Sequence, residues 1–149
     1  MLYFAYGSNL NLRLMKRHAA RAKPIGAARL DGYKIVFRRY VDIAPEKNGV
    51  VWGAVYEVTP ACERALDAYE DCPRLYRKIT VRVDVGGEVR EAMAYVMTEA
   101  LRQDGAAPPS VDYFTLVEQG YRAWKLDPAP LRRARNAVLH EQKPRPKGR

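Results

Sequence analysis

The chain has 149 residues, 48% of them hydrophobic, and a formal net charge of +9, which fits one domain with one core and excludes a disordered chain. Two cysteines and two histidines, scattered along the chain, write no zinc spacing, so no structural metal is expected. No apolar run approaches the ~18 residues of a membrane-spanning helix, and the short apolar start lacks the basic flank of an export signal, so the cytoplasm is the expected compartment.

Leu2 to Tyr6 is an apolar and aromatic run that stops at Gly7-Ser8-Asn9, and it predicts a buried strand delivering the chain into a turn. Asn9 or Asn11 then caps a helix running to about His18. Tyr33 to Tyr40 and Val50 to Val58 are the next predicted strands, with Pro45 and Asn48-Gly49 marking a loop between them. The arginines at 38 and 39, beside Tyr40, read as solvated strand positions rather than a nucleic-acid surface. Thr59-Pro60 starts a helix, since threonine caps and proline costs nothing at the first helical position, and that helix ends near Glu70, ahead of Pro73. From Tyr76 the apolar residues alternate through Ile79, Val81, Val83 and Val85 to Gly86-Gly87, after which Val89 to Thr98 returns as the second arm of a two-residue hairpin. Pro108-Pro109-Ser110 opens a helix on which Tyr113, Leu116, Val117, Tyr121 and Trp124 share a face. Leu131 to His140 is a last, very basic helix.

Strands outnumber helices and hairpins dominate, so the expected fold is a single α+β domain over residues 1–140, built on a curled, mostly antiparallel sheet. Residues 141–149 read as a basic, flexible tail. Seven lysines and arginines between Leu131 and Arg149, against the single Glu141, carry +6 of the +9 net charge. The excess therefore sits on the last helix and tail, where a solvated terminus explains it better than nucleic-acid binding.

The segment Tyr6-Gly7-Ser8-Asn9-Leu10 runs a buried strand into a glycine, a hydroxyl, an amide and a helix. Glycine allows a sharp turn and close approach, and backbone amides at a helix start suit a carboxylate or a carbonyl oxygen gaining charge. Ser8 as a nucleophile, with His18 or His140 as base, lacks a nucleophile-elbow pattern. Glu70 falls at the C-terminal end of its helix, where the macrodipole disfavours an anion. Shielding by Tyr69, Tyr76 or Tyr113 would hold its proton more tightly still, which suits a group that takes and gives a proton near neutral pH.

Tyr6-Gly7-Ser8-Asn9-Leu10 after an apolar strand resembles the signature loop of the γ-glutamyl cyclotransferase family. Trp52-Gly53-Ala54-Val55-Tyr56, followed by a helix ending Leu66-Asp67-Ala68-Tyr69-Glu70, is similar to the family's second block, whose glutamate is the catalytic base. Pro108-Pro109-Ser110-Val111-Asp112-Tyr113 resembles a third block with an active-site tyrosine. The three blocks stand in the family's order and cover most of residues 2–126. The resemblance implies a curled sheet or small barrel with flanking helices, and a cofactor-free enzyme that releases 5-oxoproline from a γ-glutamyl-amino acid or γ-glutamylamine. In it Glu70 is the general acid/base, and Tyr6, Gly7, Ser8, Asn9, Leu10, Tyr76 and Tyr113 contact the small-molecule substrate. Tyr69-Glu70-Asp71-Cys72-Pro73-Arg74-Leu75-Tyr76 is closer to the γ-glutamylamine branch, whose glycine loop usually reads Tyr-Gly-Thr-Leu, so the leaving amine stays open. The oligomeric state stays open too. The rival readings are a binding module for a small acidic ligand on the same fold and, behind it, nucleic-acid binding through the basic C-terminal segment.

Overall fold

A computed structural model describes residues 1–141 of the chain. The N-terminal apolar run forms β1 (Leu2–Ala5), buried from Tyr3 onward, and after Gly7 the chain makes one 3₁₀ turn over Ser8–Leu10. Asn11 caps α1 (Leu12–His18), its side chain accepting from the Leu14 amide at 3.2 Å. The next two strands are far longer than their β-branched runs suggest. β2 (Lys23–Arg38) and β3 (Tyr40–Glu57) form one antiparallel hairpin that turns at Arg39, which takes a left-handed φ of 69°.

The loop expected around Pro45 and Asn48-Gly49 is instead a bulge inside β3, where pairing jumps from Asp31↔Val50 to Tyr33↔Pro45. Asn48 supplies the left-handed turn at φ 62°, and Gly49 lies so close to β2 that a Cβ would meet the Tyr33 carbonyl oxygen at 2.4 Å. Of the two arginines at the hairpin tip, Arg39 is exposed as expected and Arg38 differs. Arg38 is not simply solvated but pairs with the fully buried Asp42, Nε to Oδ2 at 3.3 Å, and Arg102 joins the same carboxylate at 3.4 Å.

Helix α2 (Pro60–Tyr69) starts as its sequence predicts, with Thr59 accepting from the Cys62 amide at 3.1 Å and Pro60 in the first turn. β4 (Tyr76–Val85) and β5 (Glu88–Met97) turn through Gly86 and Gly87, both at positive φ. A short α3 (Glu99–Arg102) follows, which the sequence pattern did not predict. Ser110 caps α4 (Val111–Ala123), and α5 (Ala129–Glu141) ends the described chain. Glu141 thus closes a helix, and residues 142–149 of the expected tail lie outside the described residues.

The strands close into a barrel in the order β1-β3-β2-β4-β5. All neighbours are antiparallel except β1 and β5, which meet in parallel at Tyr3↔Met93. Phe4, Val55, Val83 and Ala94 are among the residues that fill the core. Helix α4 presses on the 3₁₀ turn at Gly120, where a Cβ would lie 2.7 Å from the Leu10 carbonyl carbon and the Asn11 amide. Of its expected face, Val117 and Tyr121 are buried and Tyr113 and Trp124 pack partly buried against the core, with Phe114 and Gly120 buried beside them. Leu131 and Val138 anchor the basic α5. Among the described residues no helix is long and apolar enough to cross a membrane, and no group of three or more potential ligands gathers around a metal position.

Candidate functional site

A cavity of about 300 Å³ opens at the end of the barrel where β1 runs out. Its wall is assembled from the 3₁₀ turn, the end of α2, the tip of the β2–β3 hairpin, the start of β4 and the start of α4.

The 3₁₀ turn is held from several sides. Tyr56 donates its hydroxyl to the Asn9 carbonyl at 3.0 Å, and the Trp124 indole donates to the Leu10 carbonyl at 3.0 Å. Asn11 ties the same segment to α4 through the Leu116 carbonyl at 3.2 Å. Within the turn, the amides of Leu10 and Asn11 donate back to the carbonyls of Gly7 and Ser8, leaving the amides of Ser8 and Asn9 without a backbone acceptor among the described residues. Ser8 and Asn9 are both buried and line the cavity. A Cβ on Gly7 would stand 3.6 Å from the Tyr113 hydroxyl and from the Val41 side chain, in the space where these parts converge. Such a turn presents neutral donors, suited to a carboxylate or to an oxygen that gains charge.

Glu70, the C-cap of α2, lines the same cavity. The helix closes in a Schellman arrangement, with the Cys72 amide donating to the Asp67 carbonyl at 2.9 Å and the Asp71 amide to the Ala68 carbonyl at 3.2 Å. Asp71 takes the left-handed φ of 52° that this closure requires, a conformation its short polar side chain tolerates better than most. The chain therefore reverses immediately after Glu70. Burial pushes the Glu70 carboxyl up to about 7, and among the described residues no cation lines the cavity to pull it back. The neighbouring acids are occupied elsewhere: Asp67 accepts from the Tyr95 hydroxyl at 2.6 Å and pairs with Lys78 at 3.1 Å, while Asp71 pairs with Arg74.

Tyrosines complete the wall. Tyr113 lies beside the turn, and its oxygen accepts from the Val41 amide at 3.1 Å, so its own proton is free to be donated. Tyr3, Tyr6, Tyr69, Tyr76 and Tyr113 are all held protonated, chiefly by burial and additionally by the nearby Glu70 charge. These neutral side chains share the cavity with the Glu70 carboxyl. Tyr6 is committed to the Tyr95 carbonyl, and Tyr3 accepts from the Asn9 side chain at 3.0 Å.

Of the residues singled out from the sequence, Tyr6, Gly7, Ser8, Asn9, Glu70, Tyr76 and Tyr113 all line this cavity. Leu10 does not. Its side chain is fully buried and its amide closes the 3₁₀ turn, so it supports the loop from behind. Sequence reasoning passed over Tyr3, Tyr40 and Tyr95 as site residues, and took Tyr69 only as a shield for Glu70. Tyr3 and Tyr95 look like ordinary strand aromatics until the barrel closes, and Tyr40 gains its place only because Arg39 turns the chain there.

A family model described as gamma-glutamyl cyclotransferase, AIG2-like, matches residues 3–115. Among solved structures, one named gamma-glutamyl cyclotransferase shares the fold with a TM-score of 0.79 at 24% identity, covering 100% of this chain and 92% of its own. An uncharacterised protein from Homo sapiens gives a TM-score of 0.79 at 25% identity, covering 99% of this chain and 91% of its own. YkqA from Bacillus subtilis gives 0.77 at 26% identity, covering 93% of this chain but only 55% of its own length. No curated protein sequence matches significantly.

Proposed function

We propose a reaction from one premise: this chain belongs to the AIG2-like gamma-glutamyl cyclotransferase family, whose pattern spans residues 3–115. The reaction is release of 5-oxoproline from a γ-glutamyl-amino acid or a γ-glutamylamine, with Glu70 moving the proton. The observation that supports this reading is that Glu70, raised to a pKa of about 7, lines one cavity with Ser8 and Asn9, whose amides donate to no backbone carbonyl among the described residues.

In this mechanism the substrate's own α-amine is the nucleophile, so folding the glutamyl chain supplies the proximity and no enzyme nucleophile is required. The Glu70 carboxylate takes a proton from the α-ammonium. The freed nitrogen attacks the γ-carbonyl carbon, forming the new C–N bond of the lactam, while the carbonyl oxygen gains negative charge facing the Ser8 and Asn9 amides and the Tyr113 hydroxyl. Protonated Glu70 then gives its proton to the departing nitrogen, and the old C–N bond breaks as the oxygen's charge returns to the carbonyl; the regenerated Glu70 carboxylate takes the second proton from the ring nitrogen and passes it to the released amine, which leaves as an ammonium. A carboxyl with a pKa near 7 exists in both forms near neutral pH, which is what a group with two opposite duties needs.

The test is incubation of the purified protein with γ-glutamyl-alanine and a series of γ-glutamyl alkylamides, with 5-oxoproline measured directly. Product from at least one of them is the expected result. A folded protein whose melting temperature rises with these compounds but which yields no 5-oxoproline would be a binding module instead.

A further inference from the structure

The two ends of the cavity differ in chemistry. Its floor is the buried part of the lining, including Tyr3, Phe4, Ser8 and Asn9, the last two with amides that donate to no backbone carbonyl among the described residues. At its mouth two lining tyrosines remain accessible, Tyr40 at 48% and Tyr69 at 40%, one on the β2–β3 hairpin and one on α2. We propose that Tyr40 and Tyr69 form an aromatic clamp that selects, as the leaving half of the substrate, amines bearing an aromatic or other flat apolar substituent. This inference rests on the ring-closing reading above.

The γ-glutamyl half carries the groups that the turn amides and Glu70 can satisfy, so it belongs at the floor. The substituent on the departing nitrogen must then lie toward the mouth. Among the described residues no lysine, arginine or histidine lines the cavity, and the one acid at the rim, Asp71, is already paired with Arg74. A leaving group with its own carboxylate would be partly desolvated there without a partner, which is costly. An aromatic substituent gains ring contacts and covers apolar surface.

Both rings are also fixed in advance. Tyr69 packs on the His18 ring at a centroid distance of 3.8 Å, and its hydroxyl bonds to the Ser8 hydroxyl at 3.1 Å. Tyr40 stands edge-on to Tyr113, centroids 5.0 Å apart and planes at 80°. Rings already held lose little freedom when a ligand arrives, so the contact they make is retained as selectivity.

The experiment compares the γ-glutamyl derivatives of benzylamine, methylamine, diaminobutane and glycine on wild-type protein, Tyr40→Ala and Tyr40→Phe. For wild type, kcat/KM for the benzylamide should exceed that for the other three by roughly tenfold, mainly through KM, the size expected of one aromatic contact set. In Tyr40→Ala the benzylamide-to-methylamide ratio should fall toward one, whereas Tyr40→Phe should keep it, because the ring face and not the hydroxyl is what selects. Equal values across the four compounds, a preference for the glycine or diaminobutane derivative, or a ratio unchanged in Tyr40→Ala would each overturn the clamp. Absence of 5-oxoproline from all four would instead remove the ring-closing reading. In that case calorimetric Kd values for the same compounds decide the clamp, which stands only if benzylamide binding is preferred and Tyr40→Ala abolishes the preference.

Discussion

Glu70 sits among hydroxyls and rings, so its charged form is the costly one. Its carboxyl titrates near 4.5 when unfolded and at about 7 when folded, so the native state holds the proton more tightly. The contribution to stability is therefore intact below about 4.5, declines as pH rises from 4.5 to about 7, and is gone above that. The difference corresponds to about 3 kcal/mol. Glu70→Gln should accordingly raise the melting temperature at about pH 8 and leave it nearly unchanged at about pH 5, as differential scanning calorimetry would show. If the carboxylate form takes the substrate's proton, kcat/KM should climb about tenfold per unit below pH 7 and level off above it; a profile flat across that range would remove Glu70 from the proton transfer. At this scale the sequence was most informative where residues are consecutive. Tyr6 to Asn9 and Glu70 stand in local patterns with a physical meaning of their own. Tyr3, Tyr40 and Tyr95 come from three different strands, and their meeting at one cavity is a property of the closed barrel that periodicity does not encode.

Helix starts and turns were legible because each is fixed by its own residues. Thr59-Pro60, Ser110, Asn11 and Gly86-Gly87 all do in the fold what their chemistry predicts. The long β2–β3 hairpin was not. Pro45 and Asn48-Gly49 are honest signs of irregular backbone, yet the irregularity is absorbed as a bulge because β2 pairs with β3 on both sides of it. Gly120 shows a similar gap: in a helix it looks like a weak residue, and its reason appears only when α4 lies against the 3₁₀ turn. Gly120→Ala would drive a methyl to 2.7 Å from the backbone of Leu10 and Asn11. It should lower unfolding free energy in urea by about 1 to 3 kcal/mol, despite alanine's better helix propensity, and reduce turnover by displacing the Ser8 and Asn9 amides. A stabilised variant with unaltered kinetics would contradict this account of the turn.

For the molecule as a whole, closure of the barrel is the decisive event, and it hangs on the parallel meeting of β1 with β5, residues far apart in the chain. A mostly antiparallel curled sheet follows from the hairpins; that it shuts completely does not. The Asp42 cluster secures the cavity end of this closed form by joining the hairpin tip, through Arg38, to β5 through the Met97 amide at 3.1 Å and to α3 through Arg102. Asp42→Ala would leave the part-buried Arg38 and Arg102 without their carboxylate and the buried Met97 amide without an acceptor, so it should lower unfolding free energy by about 3 kcal/mol, read from urea denaturation. The basic C-terminal segment also takes on a different meaning in the fold. Since Leu131 and Val138 are part of the core, any deletion meant to test nucleic-acid binding must begin after Glu141 to leave α5 whole. Proton transfer by Glu70 is read most directly from the rate of 5-oxoproline release by wild-type protein and by Glu70→Gln on one γ-glutamyl substrate at about pH 8. With Glu70 carrying the proton, kcat should fall by ~10² to 10⁴ in the variant while its fold stays intact. Equal rates, or no 5-oxoproline from folded wild-type protein, would contradict that role.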